Sequence, residues 1–120
     1  MIITQRKEQD IDIVEISERM VMDNVAEVQS SIKSITQDGS VKLILDLSQL
    51  VHIDSSGCSV LIWALKYIKT REGKVALCGL TSNVRALLEL TRVIELFSVF
   101  ASIDEALEAF AGKSTDSKKQ

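Results

Sequence analysis

The 120 residues of the chain, 46% of them apolar, suffice for one domain around one core. Lys and Arg number 14 against 17 Asp and Glu, and the net charge of -3 gives no electrostatic reason for a polyanionic ligand, so nucleic acid is not an expected partner. Cys58 and Cys78 lie in apolar sequence with no histidine cluster to complete a zinc site, and no export pattern or membrane-length apolar run is present, so buried thiols in a reducing cytoplasm are expected.

Ile11, Ile13 and Ile16 are interspersed with Asp10, Asp12 and Glu15, the pattern of a half-buried strand, and residues 2–6 are placed to pair with it. Asn24 followed by Glu27 resembles a capping box. Val25, Val28, Ile32 and Ile35 then recur at the three-four spacing of one helical face, which predicts a first helix ending near Asp38-Gly39. Residues 41–47 are nearly continuous in branched apolar side chains, as in a central strand covered on both faces. A short connection through Val51-His52-Ile53 leads to Asp54-Ser55-Ser56-Gly57 and into a long helical pattern that runs to about Arg71 and is stopped by Glu72-Gly73.

Residues 74–78 read as a third buried strand. Thr81 or Ser82 can cap a helix carrying Val84, Leu87, Leu88 and Leu90, residues 97–100 form a short edge strand, and Ser102 with Glu105 caps a last helix bearing Ala106, Leu107 and Phe110. Residues 112–120 offer nothing apolar to bury, so a disordered polar tail is expected behind a domain of residues 1–111. Strands alternating with helices imply an α/β domain with parallel central strands, because parallel neighbours need a crossover and a helix normally supplies it.

Asp54-Ser55-Ser56-Gly57 lies where the chain enters a helix. Unpaired N–H groups and the positive end of the helix dipole favour an anion there, so a phosphate on Ser55 could rest without melting the helix. The plainer alternative is that Ser55 or Ser56 is an N-cap worth about 1 kcal/mol, with Gly57 present for the turn. In the helix that follows, Val60, Leu61, Ala64, Leu65 and Ile68 share one face, which is core. Ile62 and Trp63 fall with Ser59 and Lys66 on the other side, where polar residues are the norm, and are candidates for a docking surface. Trp63 can anchor an interface or tuck against the first helix of its own domain.

Enzymatic readings find little support. His52, Asp54 and Ser55 lie on one short segment and cannot converge as a hydrolase triad; Gly57, Gly73 and Gly79 are isolated and form no nucleotide loop. Asp104, Glu105 and Glu108, and likewise Lys66, Lys69 and Arg71, read as solvated helix flanks.

The segment Leu43-Ile44-Leu45-Asp46-Leu47, then Val51-His52-Ile53-Asp54-Ser55-Ser56-Gly57 and an apolar helix, then 73–79 and 84–91, resembles the bacterial anti-sigma factor antagonists, small STAS-domain proteins, over about residues 10–110. The resemblance implies a single STAS-type α/β domain, a mixed central sheet of four to five strands with about four helices packed on it. It also implies that Ser55, directly after the aspartate, is the phosphoacceptor. Where the family shows a Gly-Glu-Leu-Asp type of turn, this chain has Glu18-Arg19-Met20-Val21, with Asp23 as the substitute acid, and Cys58-Ser59 stands where Leu-Gly is common.

Asp23, Asn24, Asp54, Ser56, Gly57, Cys58, Ser59, Ile62 and Trp63 are the expected partner-binding residues, and no residue is expected to be catalytic. The implied partners are an anti-sigma factor serine kinase of the histidine-kinase-like ATPase type and a PP2C-like phosphatase. No cofactor of the chain's own, no membrane, and a monomer or weak dimer are expected. A scaffold subunit of a stress-signalling complex, or a regulator of a non-transcriptional output, is the alternative; a ligand-binding module would instead be stabilised by a small molecule.

Overall fold

The computed structural model describes residues 3–37 and 42–111. Strands β1 (Ile3–Glu8), β2 (Ile11–Ile16) and β3 (Glu18–Met20) precede helix α1 (Val25–Thr36). Then come β4 (Lys42–Asp46), β5 (Leu50–Ile53), α2 (Ser55–Lys69), β6 (Lys74–Cys78), α3 (Ser82–Leu90), a 3-10 turn at Val93–Leu96, β7 (Ser98–Phe100) and α4 (Ile103–Phe110).

Five strands form one sheet in the order β1-β2-β4-β6-β7, with β1 antiparallel to β2 and the others parallel. The mixed α/β domain expected from the sequence is therefore present, with five strands in its main sheet and four α-helices among the described residues. Val14, Ile16, Leu43, Leu45, Val75 and Leu77 join the core that α1, α2 and α3 complete through Val28, Ile32, Leu61, Ala64, Ile68, Val84 and Leu88. Ile11, Ile13, Ile44 and Cys78 form a second cluster with Ala106 and the half-buried Ile103, Leu107 and Phe110 of α4. The continuous apolar run of β4 follows from burial on both faces.

Two elements depart from the sequence reading. Residues 51–53 are part of a strand, not a connection: β5 pairs in parallel with β3 in a separate two-stranded sheet, with Met20 opposite Ile53 and an irregularity where Glu18 takes a φ of 69°. The capping box at Asn24 and Glu27 is not formed. The Asn24 side chain instead accepts from the Val21 N–H (2.8 Å) and donates to the Arg19 carbonyl (2.9 Å).

The remaining termini follow recognisable rules. Helix α2 closes with Glu72 N–H on Lys69 O and Gly73 N–H on Ile68 O, and it is Glu72, not the glycine, that takes the left-handed conformation (φ 60°). Ser102 Oγ accepts from the Glu105 N–H as expected, and the Glu105 carboxylate accepts from the Ala101 N–H. Thr81 precedes α3, but its hydroxyl donates to Leu50 O and so ties α3 to β5. The expected end of the first helix at Asp38-Gly39, the strand start at Val41 and the tail over 112–120 lie outside the described residues.

Candidate docking and modification site

Asp54 is the N-cap of α2, with an extended backbone (φ -122°, ψ -171°). Its Oδ1 accepts from the Gly57 N–H at 3.1 Å, and its Oδ2 accepts from the Met22 N–H at 3.1 Å, 32 residues away in sequence. Its own N–H donates to Met20 O at 3.4 Å. Neither serine is the cap, which corrects the plainer reading of the motif. Ser55 becomes the first helical residue and is exposed; Ser56 is the second and is half-buried. The N–H groups of these two serines have no acceptor among the described residues, and an anion placed on Ser55 would find both donors and the helix dipole beside it.

Gly57 serves space, not turn geometry. A Cβ there would lie 2.4 Å from Met20 O and 2.7 Å from Ile53 Cγ1, so its absence lets the first turn of α2 press against the β3/β5 sheet. Gly57 and Cys58, both among the expected partner-binding residues, are buried in the first turn of α2. Burial raises the Cys58 thiol above its ordinary pKa, partly opposed by a hydrogen bond with Thr91 and reinforced by the charge of Asp54. Cys78, beneath α4, is pushed up to about 12, first by burial and then by Asp46. Both shifts favour the thiol over the nucleophilic thiolate.

Asn24, another expected partner-binding residue, is only 6% exposed and spends its side chain on the loop. Asp23 is well exposed, 3.8 Å from Arg19. Ser59 is exposed one turn along α2 from Ser55, and Ile62 and Trp63 are half-buried. Trp63 is packed within its own domain and also keeps part of its surface open. Its ring stacks on Tyr67 (centroids 5.0 Å, 13° between planes) under Lys33 of α1, while its remaining surface lines an open groove of about 370 Å³ with Val25, Gln29, Ser56, Ser59 and Val60. Arg71 closes the other end of this stack, 5.7 Å from the Tyr67 ring, and donates to the carbonyls of Thr36 and Gln37 at the end of α1.

Met22 was not singled out by sequence. Its side chain is 76% exposed on a backbone fixed by Asp54, beside the turn that carries Ser55. Only a pairing across 32 residues places it there, and a lone methionine in a polar loop gives no periodic signal. His52 is exposed on β5 in register with Arg19, and each oxygen of the Asp54 carboxylate accepts from a backbone N–H group. Among the described residues there is no cluster of metal-ligating side chains, and no helix is long and apolar enough to cross a membrane.

A family model described as the STAS domain matches residues 3–106. The chain is 28% identical over 87 residues (72% of this chain, 75% of the relative) to BtrV of Bordetella bronchiseptica, named as a candidate anti-sigma factor antagonist. In fold it resembles a Thermotoga maritima protein similarly named (TM-score 0.84, 24% identity, 89% and 92% of the two chains). It also resembles the anti-sigma factor antagonist SpoIIAA of Bacillus, solved unphosphorylated (TM-score 0.79, 15% identity, 92% and 96%) and phosphorylated (TM-score 0.71, 14% identity, 90% and 98%).

Proposed function

The chain belongs to the STAS domain family, and from that premise we propose that it is an anti-sigma factor antagonist switched by phosphorylation of Ser55. Unphosphorylated, it docks on an anti-sigma factor that is itself a serine kinase of the histidine-kinase-like ATPase type, and so releases the sigma factor. The kinase moves a phosphoryl group from ATP to the Ser55 hydroxyl, which ends the docking; a PP2C-like serine phosphatase resets the chain. ATP and metal belong to those partners, and the chain acts in the cytoplasm by binding, as a monomer or weak dimer, with no cofactor of its own. The name given to BtrV supports the same reading.

The observation that carries it is that Asp54, not a serine, caps α2, leaving the Ser55 hydroxyl exposed on a fixed first turn. A phosphoryl group there adds a charge of about -1.5 to -2 and three acceptor oxygens. The helix N-terminus tolerates that charge, so the fold survives. A partner packed over Ser55, Ser59, Asp23 and the Trp63 groove meets bulk and charge where it had a hydroxyl. Ser56, half-buried in the groove, is the less accessible acceptor.

The test is incubation of the chain with each histidine-kinase-like ATPase of its source organism and ATP, followed by mass spectrometry. One phosphoryl group is expected on the native chain and on Ser56→Ala, and none on Ser55→Ala. Modification that persists in Ser55→Ala and vanishes in Ser56→Ala would overturn the assignment.

A further inference from the structure

We propose that Asp54 is a positioning residue of the modification site: its two carboxylate oxygens lock the loop over residues 21–24 to the first turn of α2, so that Met22 and Ser55 meet a partner as one rigid surface. This role presupposes the modification of Ser55 proposed above.

A carboxylate can accept hydrogen bonds on both oxygens. Asp54 uses one oxygen on the helix, at the Gly57 N–H, and the other on the loop, at the Met22 N–H, and its own N–H reaches back to Met20 O. The loop is fixed from its far end by Asn24, which accepts from the Val21 N–H and donates to Arg19 O. Between these two braces the Met22 side chain projects into solvent while its backbone is held. A partner that covers Ser55 thus meets a Met22 whose backbone is already fixed, so that binding has only the side chain left to order. Asp54 is itself aimed at backbone on both sides, so its part in docking is exerted through the loop and not by touching the partner.

Asp54→Ser separates the two bonds. A serine hydroxyl can still cap α2 at the Gly57 N–H, because Ser and Asp are comparable N-caps, but it is too short to hold Met22 as well. Asp54→Asn is the second variant, with one acceptor oxygen for two donors. Amide hydrogen exchange by NMR, thermal melting and steady-state phosphorylation by the kinase identified in the assay above are measured on the full chain, with Ser55→Ala as control.

In Asp54→Ser the Met22 amide is expected to exchange about tenfold faster while α2 remains folded. The KM for the chain as substrate is expected to rise about fivefold with kcat within about twofold, the signature of lost docking, not lost chemistry. In Asp54→Asn one of the Met22 and Gly57 amides opens. A Met22 amide in Asp54→Ser as protected as in the native chain overturns the proposal. So does faster exchange with both kinetic constants unchanged, and so does a fall in kcat at constant KM, which would place Asp54 in the reaction itself. A native chain that no kinase modifies defeats the reading of Ser55 and the positioning role together, whereas the exchange result by itself decides only whether the brace exists.

Discussion

Replacing Gly57 with alanine puts one methyl group where the structure has no room. The new Cβ would stand 2.4 Å from Met20 O and 2.7 Å from Ile53 Cγ1, inside the 3.0 Å that real Cβ atoms keep. The Ile53 side chain can turn aside, but Met20 O is backbone of β3 and accepts from the Asp54 N–H. The first turn of α2 and β3 must therefore separate, at an overpacking cost of about 1–3 kcal/mol, together with a weakened hydrogen bond worth about 1 kcal/mol. Alanine recovers about 0.8–1 kcal/mol as the better helix former. The net expectation is a loss of about 1–3 kcal/mol, read by urea denaturation against Ser59→Ala, an exposed α2 control expected to change by less than about 0.5 kcal/mol. A Gly57→Ala chain as stable as the native one would refute the claim that this glycine exists for close approach.

Other consequences can be checked in the same way. Glu72→Gly relieves a left-handed residue at the end of α2 and should stabilise the chain by about 0.5–1 kcal/mol in the same denaturation experiment. Cys78 has a folded pKa of about 12 against an ordinary 9.0, so the unfolded chain loses this proton first as pH rises; stability is intact below about pH 9 and falls between 9 and 12, and Cys78→Ala should flatten that part of a stability-pH curve. Arg71→Ala removes the donors to Thr36 and Gln37 and the cover on Tyr67, for a loss of about 1–2 kcal/mol by thermal or urea melting. Trp63→Ala should weaken partner binding in calorimetry more than it lowers stability; equal losses would make the residue purely structural.

The parts of the fold written in periodic patterns were legible in advance. The unbroken run of β4 announced burial on both faces, and the spacing of Val60, Leu61, Ala64 and Ile68 announced the inner face of α2. The β3/β5 pair was not legible, because strands of three and four residues with Glu18, Arg19, Val51 and His52 on open sides are too short to show an alternation. In the candidate site, the position of Ser55 at the entrance of α2 and the outward placement of Ser59 could be read from the order of elements and helical spacing. The work of Asn24 and Asp54 could not, since a short polar side chain can cap, brace or contact a partner with the same sequence signature. Their assignment depends on what lies across the fold, at Arg19, Val21 and Met22.

The proposed switch requires the phosphoryl group to act at the surface of an unchanged domain. The most direct measurement is calorimetric titration of the identified kinase with native chain and with chain carrying phosphoserine at position 55, alongside amide NMR spectra of both. At least a tenfold loss of affinity, on the order of 1.4 kcal/mol or more, is predicted, with spectral changes confined to the first turn of α2 and its neighbouring loop. Equal affinity of the two forms, or changes spread through the sheet, would contradict it.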